Sequence, residues 1–92
     1  MKVLNEKEVL KELSDIEGWL FKNNTINKTY RFKTYMDSIG FINNLAIEAE
    51  KNNHHPDMIV GWCEINLSFT SHDQGGVTNH CIKMAKKAES LI

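Results

Sequence analysis

The sequence predicts an α+β fold with the order α-β-β-α-β-β-α, and three observations carry that reading. Four short segments alternate apolar and polar residues and group into two pairs that read as hairpins. Stretches with helical periodicity lie before, between and after those pairs. At 92 residues the chain has room for one core, which all of these elements must share. The expected product is a single domain over residues 1–92, with one four-stranded, antiparallel-rich sheet and helices packed on one face.

Asn5 suits the cap of a first helix, with Glu8 three residues on and Val9, Leu10, Leu13 and Ile16 as its apolar stripe. Gly18 stops it, and Trp19-Leu20-Phe21 begins a strand. Asn23-Asn24 fits a two-residue hairpin turn, because asparagine tolerates positive φ. The partner strand sets Ile26, Lys28, Tyr30 and Phe32 on one face and Thr25, Asn27, Thr29 and Arg31 on the other, with Lys28 the misfit on the apolar side. Thr34-Tyr35-Met36-Asp37 resembles a capping-box start. Tyr35, Ile39, Ile42, Ala46 and Ala49 then form the stripe expected to face the core, while Phe41 and Leu45 widen it or make a second contact surface. Pro56 disfavours α geometry at His55, so this helix should end before the histidine pair. Met58 to Trp62 reads as a third strand and Glu64 to Ser71 as a fourth, with Ile65, Leu67 and Phe69 on its apolar face. Gly75-Gly76 turns the chain, and Thr78 caps a last helix whose stripe is Val77, Cys81, Met84, Ala85, Ala88 and Leu91.

A formal net charge of −1, from eleven basic residues against twelve acidic ones, gives no global attraction to nucleic acid or to an anionic membrane. No apolar run is long enough to span a bilayer. Met1 to Glu6 lacks the apolar core of a signal peptide, and Cys63 and Cys81 make neither a CxxC motif nor a disulfide framework. The expectation is a cytoplasmic protein with reduced thiols. A core this small would gain stability from self-association.

Chemistry concentrates where Glu50-Lys51-Asn52-Asn53-His54-His55-Pro56-Asp57 leads into the second strand pair, which ends at Ser71-His72-Asp73. Three of the four histidines fall there, and histidine is the side chain that exchanges a proton near neutrality without a special environment. On an irregular turn fixed by Pro56, both rings can aim into one pocket, and the returning hairpin can bring His72 beside them. Glu50, near the end of its helix, can line the same cleft and orient a ring. Such a set suits paired general acid and general base work. The plain alternative is a group of solvated loop histidines. A zinc site is a second alternative, although adjacent histidines are awkward joint ligands and neither cysteine has ligand spacing. Cys63 lies in a strand pattern and Cys81 on an apolar helix stripe, where a buried thiol is ordinary packing. His80 reads as an exposed residue in the first turn of the last helix.

Glu50-Lys51-x-x-His54-His55-Pro56, the aromatic Trp62, and Thr70-Ser71-His72-Asp73-x-Gly75-Gly76-Val77-Thr78 together resemble pterin-4a-carbinolamine dehydratases. Gly18-Trp19, Tyr30-x-Phe32-x-x-Tyr35, Phe41 and Ala49 also match that family's pattern, so the resemblance covers nearly the whole chain. It implies the same α-β-β-α-β-β-α fold, assembled into homodimers or homotetramers. It also implies a lyase that dehydrates a 4a-hydroxytetrahydropterin to the quinonoid dihydropterin in tetrahydrobiopterin recycling, with no metal or organic cofactor. By the same resemblance His54, His55 and His72 are the catalytic set. Glu50, Asn53, Pro56, Thr70, Ser71 and Asp73 would contact the pterin or its histidines, and Trp62 would pack the wall or an interface.

The chain departs from the family pattern at Cys81, where relatives often carry an aspartate near the third histidine. A thiol cannot hold an imidazolium as a carboxylate does, which would leave His72 less basic unless Asp73 compensates. Some relatives also serve as dimerisation cofactors of a homeodomain transcription factor. The rival reading is therefore a non-catalytic interaction protein, for which an exposed apolar helix face around Phe41 and Leu45 would be the sign.

Overall fold

A computed structural model describes residues 2–92; Met1, where the segment read for a signal peptide and the expected domain both begin, lies outside them. The chain runs through α1 (Glu6–Glu12), β1 (Leu20–Lys22), β2 (Thr25–Arg31), α2 (Tyr35–Asn52), β3 (Asp57–Gly61), β4 (Glu64–Phe69) and α3 (Asn79–Ser90). That is the predicted order. The strands form one sheet in the order β1-β2-β4-β3, and every neighbouring pair is antiparallel.

The first hairpin closes as its turn residues require, with Asn23 and Asn24 at φ 53° and 58°. The register opposes Ile26 to Phe69 and Tyr30 to Ile65, which puts the apolar sides of β2 and β4 on one face. All three helices cover that face, through residues such as Val9, Leu45 and Met84. Lys28 shares that face without being left uncompensated. Its ammonium donates to Glu89 Oε2 and to the Glu17 carbonyl, each at 2.7 Å. Glu89 is a hub, since Trp19 Nε1 donates to the same oxygen at 3.2 Å and the Tyr30 hydroxyl bonds it as well. Burial opposes the charge on Glu89, but the bonds from Lys28, Tyr30 and Trp19 outweigh it and hold the carboxyl below its usual range. This hub ties the end of α3 to the sheet.

Several boundaries and one helix face differ from expectation. α1 closes at Glu12 with Leu13 as its cap, so Gly18, at φ 87°, serves the turn into β1 instead of ending the helix. Leu10, placed in the stripe, is 53% exposed, and Leu4 is buried in its stead, with its N–H bonded to the Val77 carbonyl at 2.8 Å. On α2 the buried residues are Ser38, Phe41, Leu45 and Ala49, while Tyr35 and Ala46 are exposed and Ile39 and Ile42 sit at the margin. The core face thus lies roughly a quarter turn from the predicted stripe. Aromatic packing explains the rotation: Phe41 meets Tyr30 at 5.1 Å and Phe32 at 5.4 Å between ring centroids. Phe41 and Leu45 are therefore core residues, which removes the exposed helix face the interaction reading called for.

β3 begins one residue earlier than predicted and ends at Gly61, leaving Trp62 in a tight turn where Cys63 takes φ 55°. Trp62 is 82% exposed. Met58 and Val60 oppose Leu67 and Ile65, so they share the covered face, yet they remain 36% and 44% exposed. The helices stop short of this strand, and β3 overhangs the core as an apolar edge.

Candidate active site

The histidine turn is built by a left-handed cap. Asn53 ends α2 at φ 48° and ψ 44°, and its N–H reaches the Ala49 and Glu50 carbonyls. The His54 N–H follows onto Ala49 O at 3.1 Å. This reversal sends the two adjacent rings to different partners. His54 turns inward, stacked on Phe69 with a centroid distance of 6.1 Å and an interplanar angle of 14°. His55 is about half exposed, and its Nε2 meets the carboxylate of Glu50, one turn back on α2.

His72 arrives as expected after β4, though that strand ends at Phe69 and Ser71 continues only as an isolated bridge to Gly76. Its Nε2 lies 3.3 Å from Asp57 Oδ2, with both side chains largely in solvent. Asp57 directly follows Pro56, so this contact draws His72 to the same end of the sheet as the pair. The cluster also acts on His54 electrically. Burial is the largest influence and holds its pKa below the ordinary histidine value. The charges of His80, His55 and His72 push the same way, and Asp73 pulls back.

Other expected contact residues divide into open and engaged. Asn53 and Asp73 are exposed and Pro56 is partly so. The Thr70 hydroxyl donates to the Asn24 carbonyl at 2.8 Å. Ser71 is buried, its hydroxyl bonded to Thr78 Oγ1 at 2.8 Å, and its carbonyl accepts the amides of Gln74 and Gly75 at 3.0 and 2.9 Å. The Ser71 N–H is bonded as well, to the Gly76 carbonyl at 2.9 Å, so both the side chain and the main chain of Ser71 are engaged within the turn.

Sequence reasoning misplaced two neighbours. His80 is half-buried, its ring 5.4 Å from that of His54. Cys81 is fully buried, and its Sγ lies 3.3 Å from His54 Nε2, so its histidine partner is the first of the set and not the third. The available signal was positional. Thr78 as N-cap puts residues 80 and 81 in the first turn of α3, and the Cys81 stripe faces the same side of β4 as Phe69. Among the described residues, no group of three or more His, Cys, Asp or Glu side chains is arranged to hold a metal ion. No helix among them is long and apolar enough to cross a membrane.

The family profile described as pterin 4 alpha carbinolamine dehydratase matches residues 2–91. The chain belongs to this family. A relative in Sulfurisphaera tokodaii, provisionally named a pterin-4-alpha-carbinolamine dehydratase, is 37% identical over 92 residues, covering 100% of this chain and 99% of its own. A protein of Aquifex aeolicus with the same provisional name is 37% identical over 89 residues, covering 97% and 90%. Among solved structures, a transcriptional coactivator/pterin dehydratase from Brucella melitensis superposes with a TM-score of 0.93 at 29% identity, covering 98% of both chains. A pterin dehydratase-like protein described as a RuBisCO assembly factor of the alpha-carboxysome shares the fold, with a TM-score of 0.71 at 18% identity over 83% of this chain and 90% of its own. Family and relatives agree on pterin-4a-carbinolamine dehydratase.

Proposed function

We propose that this protein dehydrates a 4a-hydroxytetrahydropterin to the quinonoid dihydropterin and water, using its histidines as acid and base within tetrahydrobiopterin recycling. The observation that carries the reading is that His54 and His55, adjacent in sequence, and the separate His72 lie near enough at one end of the sheet for their charges to act on His54, each with a different partner. The chemistry asks for such a division. Breaking the C4a–O bond needs a proton delivered to the leaving oxygen, and forming the C4a=N5 bond needs the N5 proton removed. His54, tucked against Phe69 and held neutral at pH 7, serves as the base. His55 delivers the proton to oxygen, its ring aimed by Glu50. His72, steadied by Asp57, binds the pterin and assists proton transfer, while Asn53, Pro56, Asp73 and the main chain of Thr70 and Ser71 shape the rim. The proton taken from N5 balances the one given to oxygen, so the histidine set regains its starting charge through solvent after each turnover.

Assembly belongs to the same proposal. The overhanging β3 edge, with Met58, Ile59 and Val60 in solvent, suits antiparallel pairing with a second copy, giving a homodimer or the half of a homotetramer. The interaction reading remains as a second function, because the Brucella relative is described as a coactivator as well as a dehydratase and this edge offers a docking strand.

The deciding experiment follows the dehydration of freshly generated 4a-hydroxytetrahydropterin by absorbance. Acceleration by the wild-type chain, reduced about 10²-fold or more in a His54→Ala/His55→Ala variant, is the expected result. A folded wild-type protein that gives no acceleration would overturn the enzyme reading and leave the interaction one.

A further inference from the structure

Cys81 lies against the histidine cluster, and its surroundings are specific. Its sulfur sits in the first turn of α3, fully buried, with three groups around it besides His54. The Thr78 N–H donates to it at 3.5 Å, Ser71 Oγ lies at 3.5 Å, and Thr78 Oγ1 at 3.8 Å. Ser71 and Thr78 are in turn bonded to each other at 2.8 Å. Among the described residues, no buried side-chain nitrogen or oxygen is left without a partner. Two directions satisfy these contacts. In one, the thiol donates to an unprotonated His54 Nε2; in the other, His54 Nε2–H donates to Cys81 Sγ, the thiol proton turns towards Ser71 Oγ, and the Ser71 hydroxyl donates to Thr78 Oγ1. The second direction is the one on which the inference is built.

We infer that Cys81 is a positioning residue, holding the proton of neutral His54 on Nε2 and leaving Nδ1 as the nitrogen that takes a proton from substrate. The inference deepens the proposed dehydration and rests on that reading for its catalytic meaning. The two imidazole nitrogens are inequivalent, and the partner of one decides what the other can do. A carboxylate at this place would fix the same tautomer, but it would also stabilise the imidazolium once Nδ1 had taken its proton. A thiol fixes the tautomer with a weaker, uncharged contact. His54 can then accept a proton and give it up again near neutrality. The other charges facing His54 are His80 from α3, His55 from its own turn, and His72 and Asp73 from the segment before α3. Of these only Asp73 favours the imidazolium.

The test is an imidazole nitrogen-15 NMR titration of the free protein, which needs neither substrate nor turnover. The expected result is an Nε2-protonated His54 in the wild type and in Cys81→Ser, whose hydroxyl can accept the same bond, and a mixed tautomer in Cys81→Ala. Cys81→Asp should raise the His54 titration by about one unit or more and move the acidic limb of the pH–rate profile upward with it. An Nδ1-protonated wild type, or a Cys81→Ala variant with unaltered tautomer and titration, would overturn the inference. The Ser and Ala variants decide the matter even if the buried aspartate prevents folding. A wild type that is active but shows no Nε2 bias at His54 refutes the role of Cys81 alone, whereas a wild type with the fixed tautomer and no activity refutes the dehydratase reading alone.

Discussion

His54 has a consequence for stability as well as for chemistry. Burial, with the charge of His80 next, holds its folded pKa below the unfolded value, so the unfolded chain binds the proton more readily. Its neutral form is compatible with the fold above roughly pH 6.5, the unfolded histidine value, and stability falls as the pH drops from there through the lower folded value. Urea midpoints at pH 7.5 and 5.5 should therefore differ more for the wild type than for His54→Asn; equal differences would mean that His54 titrates without strain. The motif made the three catalytic candidates visible, because residue type and spacing are sequence properties. The neighbours that set their behaviour were less legible. Cys81 was expected beside the third histidine, and only the docking of α3 on β4 shows that its sulfur meets the first one instead.

At the scale of the elements, α2 shows where pattern alone is ambiguous. Its sequence carries two apolar stripes, and both satisfy helical spacing. The choice between them lies outside the helix, in the aromatic side chains of β2 that Phe41 packs against. Leu45 is fully buried on the selected stripe and Ile47 is 56% exposed off it. Leu45→Ala should accordingly cost about 2–5 kcal/mol in chemical denaturation. Ile47→Ala should cost well under half as much, and similar losses at both would contradict the observed face. Where the two faces of an element differ sharply, as in β2, β4 and α3, the reading held almost residue by residue. Its ends were less legible, because α1 stops at a local turn and β4 at a bridge that no periodicity marks.

For the molecule as a whole, the unfinished feature is the β3 edge. β3 carries Met58, Ile59 and Val60 with no charge among them, and its partner β4 covers only one of its two hydrogen-bonding edges. Edge strands of this kind are usually blunted by a charge or a proline, and here Pro56 and Asp57 stand only at its beginning. Sedimentation at micromolar protein should therefore find the wild type as a dimer or larger. Ile59→Lys, whose side chain lies on the uncovered face, should be folded and predominantly monomeric. A monomeric wild type, or an unaltered variant, would remove β3 as the seam. Self-association was expected in the sequence from chain length, but the strand proposed to mediate it was not, since an edge is defined by what fails to cover it.

The pinning of α3 has a mechanical consequence. Its last turn is fastened through Glu89 to Trp19, Lys28 and Tyr30, and its first turn through Thr78 and Cys81 to Ser71 and His54. The helix is thus a beam clamped at both supports, roughly 12 Å apart along its axis. Releasing the far clamp would let the near end swing, and a tilt of a few degrees would spread through a rigid helix to the sulfur and the imidazole together. Glu89, at the opposite end of α3 from His54, therefore helps keep the geometry at His54 steady against thermal motion.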